Sequence, residues 1–319
     1  MGGASRSSKI GEMKIILVAP KSITNHRYDM EPFRFDYGFW NFYLPLIKLG
    51  HEVEFFDSSV SGDEDLSYLI SLFEPELIFC IMTGSKIYCP KEPWTTVRRE
   101  TKKGNIKTFN WFCDDSWRFE GFSSEVCTSF HYCSTPEKRF LKKYKDIGYD
   151  NIVYATWHAN GDLYSSLSDA DRRHMFSFVG GDHGKRAEYI KSLTDKSYDV
   201  FIPKDKSFEG MLWAYSSSFA GLSFSQNSAN SGTQMKARMF EVPATGALLV
   251  TEYTEDLENC YDLDRDILVF KNQRELVGIA RDIDKNPSLY KLVAKNGFKK
   301  FKSRHDSSVR LRKLLEDIK

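Results

Sequence analysis

Short apolar runs of the kind found in buried parallel strands recur along this chain and alternate with helical patterns. The clearest is Lys14–Ala19, KIILVA, which is apolar throughout after its first residue, as in strands covered on both faces. Further runs with strand-like character are Glu52–Phe56, Leu77–Met82, Thr108–Cys113, Phe130–Cys133, Asn151–Ala155, Phe176–Val179, Asp199–Ile202, Gly221–Ser225, Ala247–Val250 and Ile267–Phe270. Strands that alternate with helices pair in parallel through right-handed crossovers, so the sequence predicts an α/β protein.

The length of 319 residues fits two domains of about 150 residues each. We predict a first domain over residues 13–170, a second over 171–305 and a terminal amphipathic helix over 306–319. Residues 1–12, MGGASRSSKIGE, are small and polar and look like a tag-derived tail. The main helices predicted between the strands are Leu66–Phe73, Trp94–Lys103, Thr135–Asp146, Lys185–Leu193, Gln273–Asp282, Pro287–Phe301 and Ser307–Ile318.

The charge balance, the apolar runs and the cysteine spacing argue against several classes of protein. Lys and Arg number 45 against 44 Asp and Glu, which argues against a strongly basic nucleic-acid binder but leaves room for local patches. No run of about 18 apolar residues predicts a membrane span, and no secretory signal is visible. The six cysteines lack C-x-x-C and zinc-finger spacing. We therefore expect buried thiols, no metal site and a cytoplasmic location.

The stretch Gln234–Glu252, QMKARMFEVPATGALLVTE, reads as a short helix, a turn and a buried strand. Arg238 and Glu241 are three residues apart, so on a helix they share one face and could serve phosphates and sugar hydroxyls. Thr251 and Glu252 follow the strand at its carboxyl end, where open α/β sheets bind ligands. The alternative is an ordinary surface ion pair on this helix.

A glycine-rich turn occurs in Phe178–Arg186, FVGGDHGKR, between a predicted strand and a predicted helix. Gly180 and Gly181 would let backbone amides approach an anion, and Lys185 and Arg186 would add fixed cations at the helix N-terminus. The Walker A pattern and G-x-G-x-x-G both fail here. The alternative is a tight turn without a ligand.

A pair of carboxylates follows the fourth predicted strand in Trp111–Trp117, WFCDDSW. Asp114 and Asp115 are expected to face the cleft between the domains. A carboxylate among the aromatic residues of this stretch would gain proton affinity by desolvation and could act as a general base. The alternative is an Asp that caps the next helix. D-D is not D-x-D, so a metal role is the weaker interpretation.

These motifs carry a resemblance to a known family. R-x-F-E-x-x-A-x-G followed by an apolar strand and T-E resembles the second domain of CgeB-like glycosyltransferases, which have the GT-B fold of two Rossmann-like domains. Phage DNA β-glucosyltransferases have a similar R-x-x-E helix and glycine loop. Their F-x-D motif, which holds the catalytic base, matches Phe112–Asp114, and the W-x-x-D-D of CgeB-like proteins matches Trp111–Asp115. Where many GT-B enzymes have the first Glu of E-x7-E, this chain has Thr233.

The resemblance implies that Glu241 binds the ribose of a nucleotide sugar, that Arg238 and Lys185 or Arg186 lie near its diphosphate, and that Asp114 is the base. It implies a UDP-sugar as the leading donor, with no further cofactor and no metal. The resemblance alone also implies that the terminal helix crosses back to the first domain. Apart from the resemblance, Phe201–Lys204 follows a predicted strand of the second domain, and we expect it to contact the nucleobase.

The acceptor is the open part of this interpretation. We expect the loop Lys21–Phe35, with His26 and Arg27, and the side chain of Trp117 to contact it. The leading acceptor is a 5-hydroxymethylated pyrimidine in phage DNA, with duplex DNA as partner. The alternative is a surface glycan or a protein, as the CgeB-like resemblance implies. A non-catalytic nucleotide-sugar or DNA-binding module is a further possibility, and the oligomeric state is open.

Overall fold

The computed structural model describes residues 11–21, 36–86, 89–165, 171–181, 184–205 and 207–319. Its first sheet is parallel throughout, in the order β2-β1-β3-β4-β5-β6. The strands of this sheet are β1 Lys14–Ala19, β2 Glu52–Asp57, β3 Leu77–Cys80, β4 Lys107–Trp111, β5 Tyr132–Thr135 and β6 Ile152–Tyr154. The first strand is continuously buried after Lys14, which is why its run of apolar residues is uninterrupted.

The second sheet is also parallel, in the order β11-β10-β9-β7-β8. Its strands are β7 His174–Ser177, β8 Val200–Phe201, β9 Ser218–Ser223, β10 Leu248–Glu252 and β11 Leu268–Phe270. In both sheets the strand that comes first in the sequence lies between the second and the third. The strand order therefore reverses next to β1 in one sheet and next to β7 in the other, and such reversals open a crevice at the carboxyl edge.

Helices connect the strands in both sheets. In the first half they are α1 Leu44–Lys48, α2 Asp63–Phe73, α3 Trp94–Lys103, α4 Asp115–Arg118, α5 Ser124–Val126, α6 Arg139–Asp146 and α7 Gly161–Tyr164. In the second half they are α8 Arg186–Thr194, α9 Phe208–Ser216, α10 Arg238–Ala244, α11 Gln273–Lys285, α12 Pro287–Arg304 and α13 Ser307–Asp317. The π-helical segments are Phe39–Tyr43 and Phe119–Ser123, and the 3₁₀ segments are Cys127–Ser129 and Glu255–Asn259. Within the described residues, no helix combines the length and apolarity needed to cross a bilayer.

The last helix, α13, packs against the first sheet's side of the molecule. Leu311, Leu314 and Leu315 are buried in the same apolar cluster as Phe42 and Leu46. The helix start is fixed there too: the Ser307 N–H donates to the Ala159 carbonyl over 2.9 Å, and Ser307 Oγ lies 2.8 Å from His158 Nδ1. This return of the chain ties the end of the second half to the first sheet.

Two helices of the structure differ from the prediction. The helix predicted from Thr135 begins instead at Arg139, because Thr135 is still paired in β5 and Glu137 is buried in an ion pair with Arg139. The helix α9 was not predicted. Its start is marked by Ser207, whose hydroxyl accepts the N–H of Gly210 over 3.0 Å, but its nearly all-apolar sequence lacks an amphipathic period.

Candidate active site

The carboxyl edge of the second sheet collects the sequence motifs at the point where the strand order reverses. The segment after β7 contains Gly180 and Gly181, and the segment after β9 begins at Phe224. These two segments are held together, since the Lys185 N–H donates to Gln226 Oε1 over 3.2 Å. Crevices of this kind are where open α/β sheets bind ligands.

The glycine turn is packed directly against Arg238. A Cβ on Gly180 would lie 2.5 Å from Arg238 Nη2, so any larger residue would displace the guanidinium from its observed position. Arg238 Nε donates to the Val179 carbonyl, and its guanidinium lies 5.6 Å from the ring centre of Phe178. The glycine turn and the start of α10 are therefore in direct contact, although the sequence analysis treated them as two separate motifs.

Arg186 and Lys185 occupy different environments although they are adjacent. Arg186 is 5% exposed, and its Nη1 donates to the Gly181 carbonyl over 2.7 Å, which braces the turn from within. Lys185 is exposed at the start of α8. Of the two cations, Lys185 is thus the one free to reach toward solvent and Arg186 the one that shapes the turn.

Glu241 is 6% exposed and accepts a hydrogen bond from the Tyr164 hydroxyl over 3.0 Å. Burial raises the pKa of its carboxyl group, while the nearby Arg238 charge and the Tyr164 hydrogen bond oppose that shift. The alternative of an ordinary surface ion pair is therefore wrong. A buried carboxylate beside a cation at a sheet's carboxyl edge is able to accept hydrogen bonds from ligand hydroxyls.

Thr251 and Glu252 do not lie beyond the end of the strand, as predicted, but form its last two residues. Thr251 is fully buried, like the three residues before it in β10, and its role in donor binding stays a prediction. Glu252 accepts hydrogen bonds from the Ser225 N–H over 2.8 Å and the Ser225 hydroxyl over 3.0 Å. Its carboxylate thereby anchors the segment after β9.

Asp114 and Asp115 point to opposite sides. Asp114 is partly exposed at the N-cap position of α4 but makes no capping hydrogen bond. Its Oδ1 instead accepts from Gln234 Nε2 of the second half over 3.0 Å. Asp115 is 1% exposed, and its two oxygens accept from the Tyr144 hydroxyl at 3.2 and 3.1 Å.

The prediction that both carboxylates face the cleft is therefore wrong for Asp115. It is the first residue of the helical turn, and that turn directs its side chain into the first core. Burial raises the pKa of Asp115 to about 6. The role of Asp114 as a base stays a prediction, and its position between the two halves is compatible with it.

The expected acceptor contacts are only partly described. Trp117 is 40% exposed, with the Arg118 guanidinium 5.5 Å from its ring centre. His26 and Arg27 lie outside the described residues, and so does nearly all of the loop in which they stand.

A surface pocket of about 350 Å³ lies beside the glycine turn. It is lined by Phe178, Gly180, Ala187, Ile190, Lys191, Thr194 and Ile202. The walls are mostly apolar, and Ile202 is 45% exposed there. The pocket lies next to the end of β8, at the stretch Phe201–Lys204 in which the sequence predicted a nucleobase contact.

Several contacts between the two halves were not predicted. They involve the segment Thr233–Lys236, which we call the interdomain segment. Its Gln234 Oε1 accepts from Ser116 Oγ over 2.6 Å, and its Thr233 carbonyl accepts from Arg139 Nη2 over 2.8 Å. The buried Glu137 receives a hydrogen bond from the Met235 N–H, and burial raises the pKa of this carboxyl group to about 7.

Sequence reasoning also missed Lys236 and Tyr164. Lys236 is 8% exposed, and its place between Met235 and Ala237 was a signal, since a lysine between apolar residues is a candidate for burial. Tyr164 gave no local signal, because its partner Glu241 is 77 residues away in the chain.

Comparisons with known proteins agree with this architecture. Residues 181–316 match a family described as Glycosyl transferase-like. HepE from Anabaena, solved with UDP and glucose, aligns with a TM-score of 0.64 at 10% identity, over 96% of this chain and 99% of that one. A glycosyltransferase from Rickettsia africae aligns with a TM-score of 0.62 at 11% identity, over 96% and 98%. Sucrose-phosphate synthase from Thermosynechococcus elongatus aligns with a TM-score of 0.61 at 10% identity, over 96% and 99%.

The fold class is therefore GT-B, with two parallel Rossmann-like sheets, and the candidate site residues lie at the carboxyl edges of these sheets. No curated protein sequence matches the chain. The family match covers residues 181–316, and the solved structures share the fold over nearly the whole chain. The site that these residues build lies where the two halves meet.

Proposed function

We propose that this protein transfers a sugar from a nucleotide diphosphate sugar to an acceptor hydroxyl, with a UDP-sugar as the leading donor. The observation that carries the proposal is the unit formed by Gly180, Arg238 and Glu241, which faces Asp114 through the interdomain segment. A phosphate-compatible turn and a buried carboxylate then lie on one side of the junction, and a candidate base lies on the other.

The donor would lie along the carboxyl edge of the second sheet. Glu241 would accept hydrogen bonds from the ribose hydroxyls, and the guanidinium of Arg238 would contact the diphosphate. The apolar pocket beside Phe178 and Ile202 would take the nucleobase, since its walls offer a flat ring both apolar contact and exclusion of water. Complexes of HepE with UDP and with UDP-glucose support a uridine donor by analogy of fold.

The chemistry would be a displacement at the anomeric carbon. Asp114 would take the proton of the acceptor hydroxyl as that oxygen bonds to the sugar. The bond between the sugar and the diphosphate would break, and the negative charge left on the diphosphate would be stabilised by the cations around it.

The leading acceptor is a 5-hydroxymethylated pyrimidine in phage DNA, and a surface glycan or protein is the alternative. Exposed Trp117 with Arg118 beside it offers a flat surface that suits either a base or a sugar ring. Glucosylation of DNA that contains 5-hydroxymethylcytosine, followed by mass spectrometry of the nucleosides, separates the two. If the protein does not bind duplex DNA at any salt concentration, including low salt, the DNA hypothesis is refuted.

The proposal is tested with UDP-glucose and the variant Asp114→Asn. Release of glucose or its transfer should fall by at least about a hundredfold, because loss of a general base costs that much, while UDP affinity stays unchanged. Equal turnover of the variant would contradict the role of Asp114. If the wild-type protein binds UDP and its sugars but never releases or transfers a sugar, it is a non-catalytic nucleotide-sugar module.

A further inference from the structure

The side chain of Lys236 is an unusual feature of the interdomain segment. It lies two residues before Arg238, the first residue of α10, and is 8% exposed. The backbone around it is held in place, since the Gln234 N–H donates to the Ser225 carbonyl over 2.8 Å and the Lys236 N–H donates to Met239 Sδ over 3.4 Å. The fold therefore fixes the backbone from which this side chain extends.

Lys236 is largely buried, and within the described part of the chain no hydrogen bond or ion pair of its side chain is found. The two acids whose charges reach it are already engaged: Asp114 accepts from Gln234, and Glu137 pairs with Arg139. An ammonium group on a largely buried side chain is partly desolvated, so without a counterion it is costly, and such groups are normally paired in the state in which the protein works.

Further cations surround Lys236. The charges of Arg238 and Arg186 act on it from the start of α10 and from α8. Burial, with these two charges, lowers the pKa of Lys236 to about 8 against the opposing pull of Asp114 and Glu137. A cluster of cations attracts negatively charged ligands.

We propose that Lys236 is a donor-binding residue whose ammonium group contacts the diphosphate next to Arg238 and stabilises the charge that develops there as the sugar leaves. This inference rests on the proposed function. It adds to the site a cation from the junction between the two halves, on the segment whose Gln234 also holds Asp114. One segment would then contact both the leaving group and the base.

The proposal predicts that donor binding is coupled to the uptake of protons. A dianionic or trianionic diphosphate favours the charged ammonium form, so donor binding should raise the pKa of Lys236. With a pKa of about 8 in the free protein, a substantial share of the Lys236 side chains is neutral at pH 8.5, and binding should then take up a fraction of a proton. At pH 7 the group is already mostly charged, and the uptake should be small.

The test measures UDP and uridine binding by calorimetry at pH 7.0 and 8.5, in buffers of different ionisation enthalpy. Lys236→Met should weaken UDP binding about tenfold or more at pH 7.0 and leave uridine binding unchanged. Lys236→Arg, which cannot lose its charge, should keep most of the UDP affinity and abolish the proton uptake at pH 8.5. The exposed Lys196→Met serves as the matched control and should behave as the wild-type protein.

The outcomes separate this inference from the proposed function. Unchanged UDP affinity in Lys236→Met, or an equal loss of UDP and uridine, overturns the role of Lys236 while the proposed function stands. Wild-type binding of inorganic pyrophosphate that depends on Lys236, without any binding of UDP, supports the anion site and refutes a uridine donor. Absence of binding to both overturns the two proposals together. Thermal melting of each variant excludes simple unfolding as the cause.

Discussion

Replacing Gly180 by alanine tests whether the glycine turn exists to make room for Arg238. The added Cβ would lie 2.5 Å from Arg238 Nη2 and 3.0 Å from both Arg238 Cζ and Phe178 Cζ. Ordinary contacts between such atoms are about 3.5–4.0 Å, so the guanidinium must retreat by about 1 Å. The backbone φ of Gly180 is not positive, and alanine adopts it without strain.

Fold stability should therefore change little. The clash falls on the far end of a flexible side chain, and alanine also reduces the freedom of the unfolded chain by about 0.4–1 kcal/mol. Donor binding should suffer more, because a displaced guanidinium loses a charge-assisted hydrogen bond to the diphosphate, which contributes about 1.5–3 kcal/mol. That loss corresponds to roughly ten- to hundredfold weaker UDP binding.

Isothermal calorimetry with UDP and thermal melting of the same samples give both quantities. Gly278→Ala is the matched control, since a Cβ there meets nothing within 4 Å and the position lies inside α11, far along the chain from the site. It should leave UDP affinity unchanged and stabilise the helix by up to about 1 kcal/mol. If Gly180→Ala binds UDP within about twofold of the wild-type protein, the proposed contact of Arg238 with the diphosphate is refuted.

Two further changes probe the other side of the junction. Gln234→Ala removes the amide that donates to Asp114 and accepts from Ser116, so kcat should fall roughly tenfold or more through misplacement of the base. Steady-state kinetics and UDP calorimetry check this, and a loss of UDP affinity equal to the loss of kcat would contradict it. Asp115→Asn should flatten the pH dependence of stability. The pKa of Asp115 is raised to about 6 in the fold from an unfolded value near 4, so its contribution is present below pH 4 and is lost as the pH rises to 6. Urea unfolding at pH 4 and pH 7 measures the difference in unfolding free energy between wild-type and variant. This difference should change by up to about 3 kcal/mol, because the wild-type protein loses stability relative to the variant between pH 4 and pH 7. A constant difference would show that Asp115 titrates normally.

The strands of both sheets were predictable because their signal is local. Lys14–Ala19 matches β1 residue for residue, and Trp94–Lys103 matches α3, since an apolar run and an amphipathic period are read within one element. The glycine turn and the R-x-F-E helix were likewise identified from neighbours in the sequence. What these two motifs do together is visible only where Gly180 meets Arg238, at a separation of 58 residues.

The tertiary structure showed which of two adjacent acids faces the junction. Apart from the F-x-D resemblance, which favoured Asp114, the sequence expected both acids to face the cleft, but the helical turn directs Asp114 toward Gln234 and Asp115 toward Tyr144. Burial of Glu241 beneath Tyr164 and of Lys236 between the halves depends in the same way on partners distant in the chain. The sequence by itself thus determined the α/β class and the positions of the phosphate-compatible and carboxylate motifs, because periodicity and turn chemistry are local properties. The pKa values of the ionisable groups at the site depend on how far each group is removed from water, and this is determined only by the packing of the tertiary structure.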